Sequence, residues 1–152
     1  MTAEASTDIV ATLRQAGLRV TAPRVAVLSE LHAGQHLTAD QVALGVRARI
    51  GAISTQAVYD VLGALTRAGL LRRIEPAGSP TRYETRVGDN HHHVVCRSCG
   101  VISDVDCIVG EPPCLDPSDA GGFVVDEAEI TFWGMCPRCQ THPTTPEARR
   151  HV

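Results

Sequence analysis

The chain has 152 residues, 43% of them hydrophobic and 20% charged, with a net charge of −3. This is globular composition, which excludes a disordered or collagen-like chain, and no apolar run is long enough for a membrane-spanning helix. The opening MTAEASTDIV has no basic region followed by an apolar stretch, so no secretory signal is expected and a cytoplasmic location is.

Six cysteines in such a chain point to metal or redox chemistry rather than a disulfide scaffold. The average charge hides an asymmetry. Residues 1–86 hold 10 Arg against 7 Asp and Glu (+3), and residues 87–152 hold 4 Arg against 10 (−6). A basic first half and an acidic, Cys/His-rich second half predict two modules with different partners.

In chain order, Ile9 to Gln15 reads as a weakly amphipathic helix stopped at Gly17. Thr21-Ala22-Pro23 opens a second helix, with Thr21 as cap and Val25, Leu28 and Leu31 as its apolar stripe. A third starts at Thr38, with Gln41 completing a capping box. It carries Val42, Leu44 and Val46 and ends near Ile50-Gly51. The fourth is capped by Ser54, carries Val58, Val61, Leu62 and Leu65 at helical spacing, and closes at Gly69. Its outer face then holds Thr55, Gln56, Tyr59, Asp60 and Thr66. Residues 70–75 and 81–84, joined by Pro76-Ala77-Gly78-Ser79-Pro80, predict a β-hairpin with arginines along it.

Short helices followed by a basic hairpin are the order of a winged helix-turn-helix. The fourth helix would send Ser54, Thr55, Gln56 and Tyr59 toward base edges in the major groove. Arg19, Arg24, Arg72, Arg73 and Arg82 would meet phosphates or the minor groove.

The second half carries two C-x-x-C pairs, Cys96/Cys99 and Cys136/Cys139. Four thiolates are the tetrahedral set that structural Zn²⁺ prefers. The 36 residues between the pairs are too many for a compact ribbon, so the pairs are expected to clamp the two ends of a small β-rich domain. Cys107 and Cys114 fall outside the pairs and receive no role. The other cluster is Asp89-Asn90-His91-His92-His93. On a strand, His91 and His93 share one face and His92 takes the other. Glu84 and Asp104 could add oxygens, and His36 a further nitrogen from the first module. Such a mixed set suits Fe²⁺, Mn²⁺ or Zn²⁺. A metal shared between modules would fix their angle and couple metal occupancy to DNA affinity.

Residues Arg19-Val-Thr-Ala-Pro-Arg24, Ala57-Val-Tyr59, Arg82-Tyr-Glu84, His91-His-His93 with Cys96-x-x-Cys99-Gly100, and Cys136-x-x-Cys139 together resemble the ferric uptake regulator (Fur) family over about residues 9–139. Gln56-Ala-Val-Tyr-Asp60, Arg86-Val-Gly-Asp-Asn90 and Cys96-Arg-Ser-Cys-Gly100 look closest to its actinobacterial FurA/CatR-type branch, repressors associated with catalase-peroxidase genes. The resemblance implies an α+β chain. The implied winged-helix domain spans 1–84 and the small α/β dimerisation domain 85–139; residues 140–152, which lack apolar periodicity, are expected to form a disordered tail. The resemblance also implies a homodimer on double-stranded operator DNA. It puts a structural zinc on Cys96, Cys99, Cys136 and Cys139, and a regulatory Fe²⁺ or Mn²⁺ on His36, Glu84, His91, His93 and Asp104.

The family's peroxide sensors resemble this chain in having Asp at the position of Asp104, where iron sensors tend to have Glu. The expected function is therefore a metal-dependent repressor that senses peroxide through iron, with His36 or His91 as the oxidised ligand. Iron or zinc sensing without peroxide chemistry is the alternative within the class. A thiol redox protein using the C-x-x-C pairs is the alternative outside it.

Two departures are visible. Asp60 stands where the family often has Arg. Asn90 and Ala128 stand where some members have histidines of an additional metal site, toward which His92 alone could contribute. His142 and His151, in the tail, are expected to be solvated.

Overall fold

The computed structural model describes residues 3–32, 36–89, 91–106, 117–125 and 128–141, with side chains from residue 8 onward. Cys107, Cys114, Asn90, His142 and His151 lie outside them. The chain divides into two compact units, Met1–Gly88 and Asp89–Val152. The division thus falls four residues beyond the end of the wing at Glu84.

The first unit holds α1 (Ala3–Gln15), α2 (Ala22–Leu31), β1 (Leu37–Thr38), α3 (Ala39–Ile50), α4 (Thr55–Arg67), β2 (Arg72–Ile74) and β3 (Arg82–Glu84). The helix stops follow the local chemistry. Beyond α1, Gly17 takes φ +69°, and the Gly17 and Leu18 amides donate to the Arg14 and Leu13 carbonyls. Beyond α4 the same pair of bonds runs from Gly69 and Leu70 to Thr66 and Leu65. These are two Schellman closures, and only glycine adopts that backbone without strain. At the start of α3, Thr38 and Gln41 satisfy each other's amides in a reciprocal capping box. The Ser54 hydroxyl accepts from the Ala57 amide at 3.1 Å.

Three local expectations are corrected. Thr21 occupies the cap position of α2, but its hydroxyl caps nothing; Pro23, at the second helical position, has no N–H to offer it. Leu44 is 71% exposed. The buried stripe of α3 is Ala39, Val42, Ala43 and Val46, and a residue two positions from Val42 turns about 200° away from it. Thr66 is half-buried, and its hydroxyl donates to the Leu62 carbonyl.

The helices bury one core of Ile9, Leu13, Val27, Leu31, Val42, Val46, Val58, Leu62 and Leu65, with Leu71 and Tyr83 joining from the wing. The wing pairs as expected, with Arg72 opposite Glu84 and Ile74 opposite Arg82. It also gains a strand the patterning does not predict. β1 adds to the far side of β3, with Leu37 opposite Tyr83, giving the order β1-β3-β2.

The second unit holds β4 (His91–Cys96), β5 (Ile102–Asp106), β6 (Thr131–Gly134) and α5 (Pro137–Thr141). β4 is central, antiparallel to β5 and parallel to β6. α5 runs through Thr141, so the expected disordered tail is corrected at Gln140 and Thr141, which are helical. The Gln140 amide closes α5 on the Cys136 carbonyl, and the Thr141 hydroxyl bonds back to Arg138. Among the described residues, no helix is long and apolar enough to cross a membrane.

Candidate metal centres and nucleic-acid face

The parallel pairing of β4 and β6 explains how two C-x-x-C pairs far apart in sequence meet. Cys96 ends β4 opposite Gly134, so Cys136 follows two residues beyond the same end of the neighbouring strand. Cys99 comes round the turn closed by the Gly100 amide on the Cys96 carbonyl, with Gly100 at φ +72°. Cys139 sits in α5 and is buried.

The four sulfurs lie within 4.8 Å of one another, and none is in a disulfide. Bonds of about 2.3 Å to a tetrahedral ion require sulfurs about 3.8 Å apart. Cys99 Sγ and Cys136 Sγ stand at 3.8 Å. The donor set therefore fits Zn²⁺.

The thiols are not equivalent. Backbone N–H groups of Cys136 and Cys99 point at Cys96 Sγ and lower its pKa to about 6. At Cys139 a hydrogen bond from Ser98 lowers the pKa, but burial and hydrogen bonds with Cys136, Cys99 and Cys96 outweigh it and push it to about 11. Backbone donors favour the thiolate at Cys96 and burial opposes it at Cys139, so a compact set of four needs a cation to hold all of them ionised.

On β4 the alternation behaves as expected. His91 and His93 share a face, their rings edge to face with centroids 4.9 Å apart, while His92 turns toward Phe132 on the other side. All three are buried. Asp104 of β5 is the cross-strand partner of His93. Its Oδ1 lies 3.7 Å from His93 Nε2 and 3.9 Å from His91 Nε2. Asp89 Oδ1 sits 2.7 Å from His91 Nδ1. That bond fixes the ring and aims Nε2 at Asp104. The sequence reading assigned no role to Asp89; an acid two residues before a histidine in an extended run was the available signal.

In the first unit, His36 precedes β1 and Glu84 ends β3. Pairing of those strands brings His36 Nε2 to 3.0 Å from Glu84 Oε2, both side chains almost fully buried. Two ligands about 2.1 Å from one ion and at right angles are about 3.0 Å apart. Each unit thus presents a nitrogen–oxygen set with spacing suited to a divalent ion.

The outer face of α4 presents Thr55, Gln56, Tyr59 and Asp60, all exposed, with Ser54 exposed at its start. Arg47 of α3 steadies that end. Its guanidinium donates to the Ile53 carbonyl at 3.2 Å and the Thr55 hydroxyl at 2.9 Å. The sequence reading missed Arg47, because a lone arginine on an amphipathic helix carries no signal of its partner.

The other arginines divide. Arg19 is exposed, and its carbonyl accepts from Arg24 at 2.7 Å. Arg73 is exposed and pairs with Glu75. Arg72 is half-buried on β2 opposite Glu84. Arg82 is turned inward, donating to the His36 carbonyl at 3.0 Å, so it braces the loop that carries a candidate ligand.

A winged helix in one unit and, in the other, a sheet that carries a four-thiol set and a row of histidines define a metal-responsive, DNA-binding transcriptional regulator, and the comparisons with known proteins agree. Residues 15–111 match the ferric uptake regulator family, and the chain belongs to it. The transcriptional regulator FurA of Mycobacterium tuberculosis is 58% identical over 138 residues, 91% of this chain and 94% of that protein. Ferric uptake regulation protein 1 of Mycolicibacterium fortuitum is 57% identical over 126 residues, 83% of this chain and 78% of that protein. The ferric uptake regulator of Helicobacter pylori, in which three functional metal-binding sites are described, shares the fold with a TM-score of 0.66 at 22% identity, over 92% of this chain and 95% of that one. Members of the family are dimeric regulators that bind DNA and metal ions.

Proposed function

We propose that the chain is a cytoplasmic repressor that releases its operator on exposure to peroxide, and that it controls catalase-peroxidase and related oxidative-stress genes. In this reading Cys96, Cys99, Cys136 and Cys139 hold a structural zinc. His36 and Glu84 of the first unit and His91, His93 and Asp104 of the second supply a regulatory metal, Fe²⁺ or Mn²⁺. Neither half is a full donor shell: two or three protein ligands leave a six-coordinate ion short. One ion drawing on both halves gives metal binding a reason to change DNA affinity, since it would favour one arrangement of the units.

Asp104 is the observation that carries the peroxide reading. Its short carboxylate lies across from His93, with the imidazoles of His91 and His93 beside it. A bound Fe²⁺ supplies one-electron chemistry toward peroxide. The residues' part is to hold oxidisable imidazoles within reach of it. His36 and His91 are the expected targets, and an oxidised imidazole is a lost ligand. The DNA face would consist of Ser54, Thr55, Gln56 and Tyr59 against the bases, with Arg19, Arg24, Arg72 and Arg73 on the backbone. Arg82 acts indirectly, through the loop of His36.

The test is to load the zinc form with Fe²⁺ anaerobically, add stoichiometric peroxide and locate added oxygen by peptide mass spectrometry. Oxygen on the His36 or His91 peptide, absent from a Mn²⁺-loaded control, is the expected result. Oxidation confined to cysteines would move sensing to the thiols. No modification would leave a reversible metal sensor.

A further inference from the structure

Asp60 is an odd neighbour for DNA. It sits on the outer face of α4, where a carboxylate meets phosphates unfavourably, yet it is engaged. Gln56, one turn earlier, donates through Nε2 to Asp60 Oδ1 at 2.9 Å. Both side chains are exposed, and α4 has no acidic residue in its first turn. The bland account is a helix-surface pair worth a few tenths of a kcal/mol. The chemistry supports more.

We propose that Gln56 and Asp60 form a single base-reading unit in which Gln56 selects adenine in the major groove and Asp60 is its positioning residue. The proposal rests on the reading of α4 as the recognition helix.

The argument starts from the donor and acceptor inventory. An ionised carboxylate only accepts, so it takes the amide nitrogen of Gln56 and repels the amide oxygen. Asp60 therefore decides which way the carboxamide faces. With one Nε2 hydrogen held, Gln56 still offers Oε1 as acceptor and its second hydrogen as donor.

Adenine presents the complement, an N6 donor beside an N7 acceptor. Guanine presents two acceptors, O6 and N7, so O6 would face Gln56 Oε1 and be repelled. Thymine O4 and cytosine N4 each satisfy one half of the pair. Gln56 is the second residue of α4, in the first turn, which is the part of a recognition helix that reaches base edges. Holding a long side chain in its reading rotamer before contact also removes part of the ordering cost of binding.

The experiment uses the full chain loaded with Zn²⁺ and Mn²⁺, and a pool of duplexes with randomised base pairs. Sequencing the bound fraction gives a base preference at each position. Salt dependence is measured on the best duplex, and circular dichroism checks that each variant is folded.

The expected result is one position per half-site where adenine is preferred by roughly tenfold to a hundredfold. That preference is lost in Gln56→Ala and falls several-fold in Asp60→Ala. Asp60→Asn falls between the wild type and Asp60→Ala, because its oxygen can still accept from Gln56 Nε2 but its Nδ2 can instead donate to Oε1 and turn the carboxamide round, while overall affinity rises as the negative charge is removed. If Asp60→Ala leaves the profile unchanged, the positioning role is overturned. Tyr59→Ala separates the two readings. A changed profile there with none in the Asp60 variants would sink the pair alone, while no change in any of them would sink the recognition-helix assignment itself.

Discussion

The two units of this chain are held together by different physics. The first buries aliphatic side chains drawn from four helices and the wing. In the second, the described residues buried most deeply are His91, His92, His93, Val95, Cys96, Ile102 and Cys139. Among the described residues of that unit, histidines and cysteines make up most of what is buried. A unit built this way folds around its ion, because the ion offsets what ionised thiols and buried imidazoles would otherwise cost. On the proposed reading, DNA recognition would rest on an aliphatic scaffold and sensing on one that needs its ion.

The sharpest way to break the comparison is to remove the zinc. Chelation, or Cys96→Ser or Cys136→Ser, should cost the second unit on the order of 10 kcal/mol, the scale of structural zinc binding. Amide hydrogen exchange should show protection lost across β4 and β6 and retained in α2, α3 and α4. Equal loss in both units would mean that they fold as one. The converse variant is Leu62→Ala, fully buried in the first core. It should cost about 2–5 kcal/mol in denaturant melts while zinc content stays at that of the wild type.

Within the second unit the two ligand sets should separate. His93→Ala keeps the four sulfurs, so the protein should stay folded and zinc-loaded. Its affinity for the second metal should fall by more than the roughly 10- to 100-fold typical of losing a mere supporting group, read by metal titration and by metal-dependent operator retention. Asp89→Ala is such a supporting group for His91 and should fall inside that range. If His93→Ala also strips the zinc, the structural and regulatory sites are not distinct.

The same contrast governs what could be read from the residues alone. The first unit was legible where local rules are strong: glycine at φ +69° after two helices, the Thr38–Gln41 box, the Val58/Leu62/Leu65 stripe. It was illegible where a long-range partner decides. β1 is two residues long and exists because β3 offers an edge, and Arg47 and Arg82 find carbonyls that no spacing announces. In the second unit the ligand residues and their grouping were legible from spacing and alternation, but the strand pairing that brings the thiols together was not. It sets β6 parallel to β4, and a pairing across some forty residues leaves no local trace.

The smallest effects test whether the helical scaffold has slack. Ser54→Ala removes a cap and should cost about 1 kcal/mol. Two helical glycines make a finer pair. At Gly63 an added Cβ would meet only the tip of Arg67, at 3.3 Å, and that side chain can swing aside. Gly63→Ala should therefore stabilise by up to about 1 kcal/mol, the propensity difference. At Gly45 the Cβ would fall on the carboxylate of Glu30, which pairs with Arg49 at 2.9 Å. The carboxylate must move, and the pair it gives up is partly exposed and worth about 0–1 kcal/mol. The propensity gain and the lost pair then nearly cancel, so Gly45→Ala should leave the melting midpoint almost unchanged. A clear loss at Gly45 would mean that Glu30 and Arg49 tie α2 to α3 more firmly than a surface pair should. A loss at Gly63 would mean that this face of α4 has no room for even one methyl group.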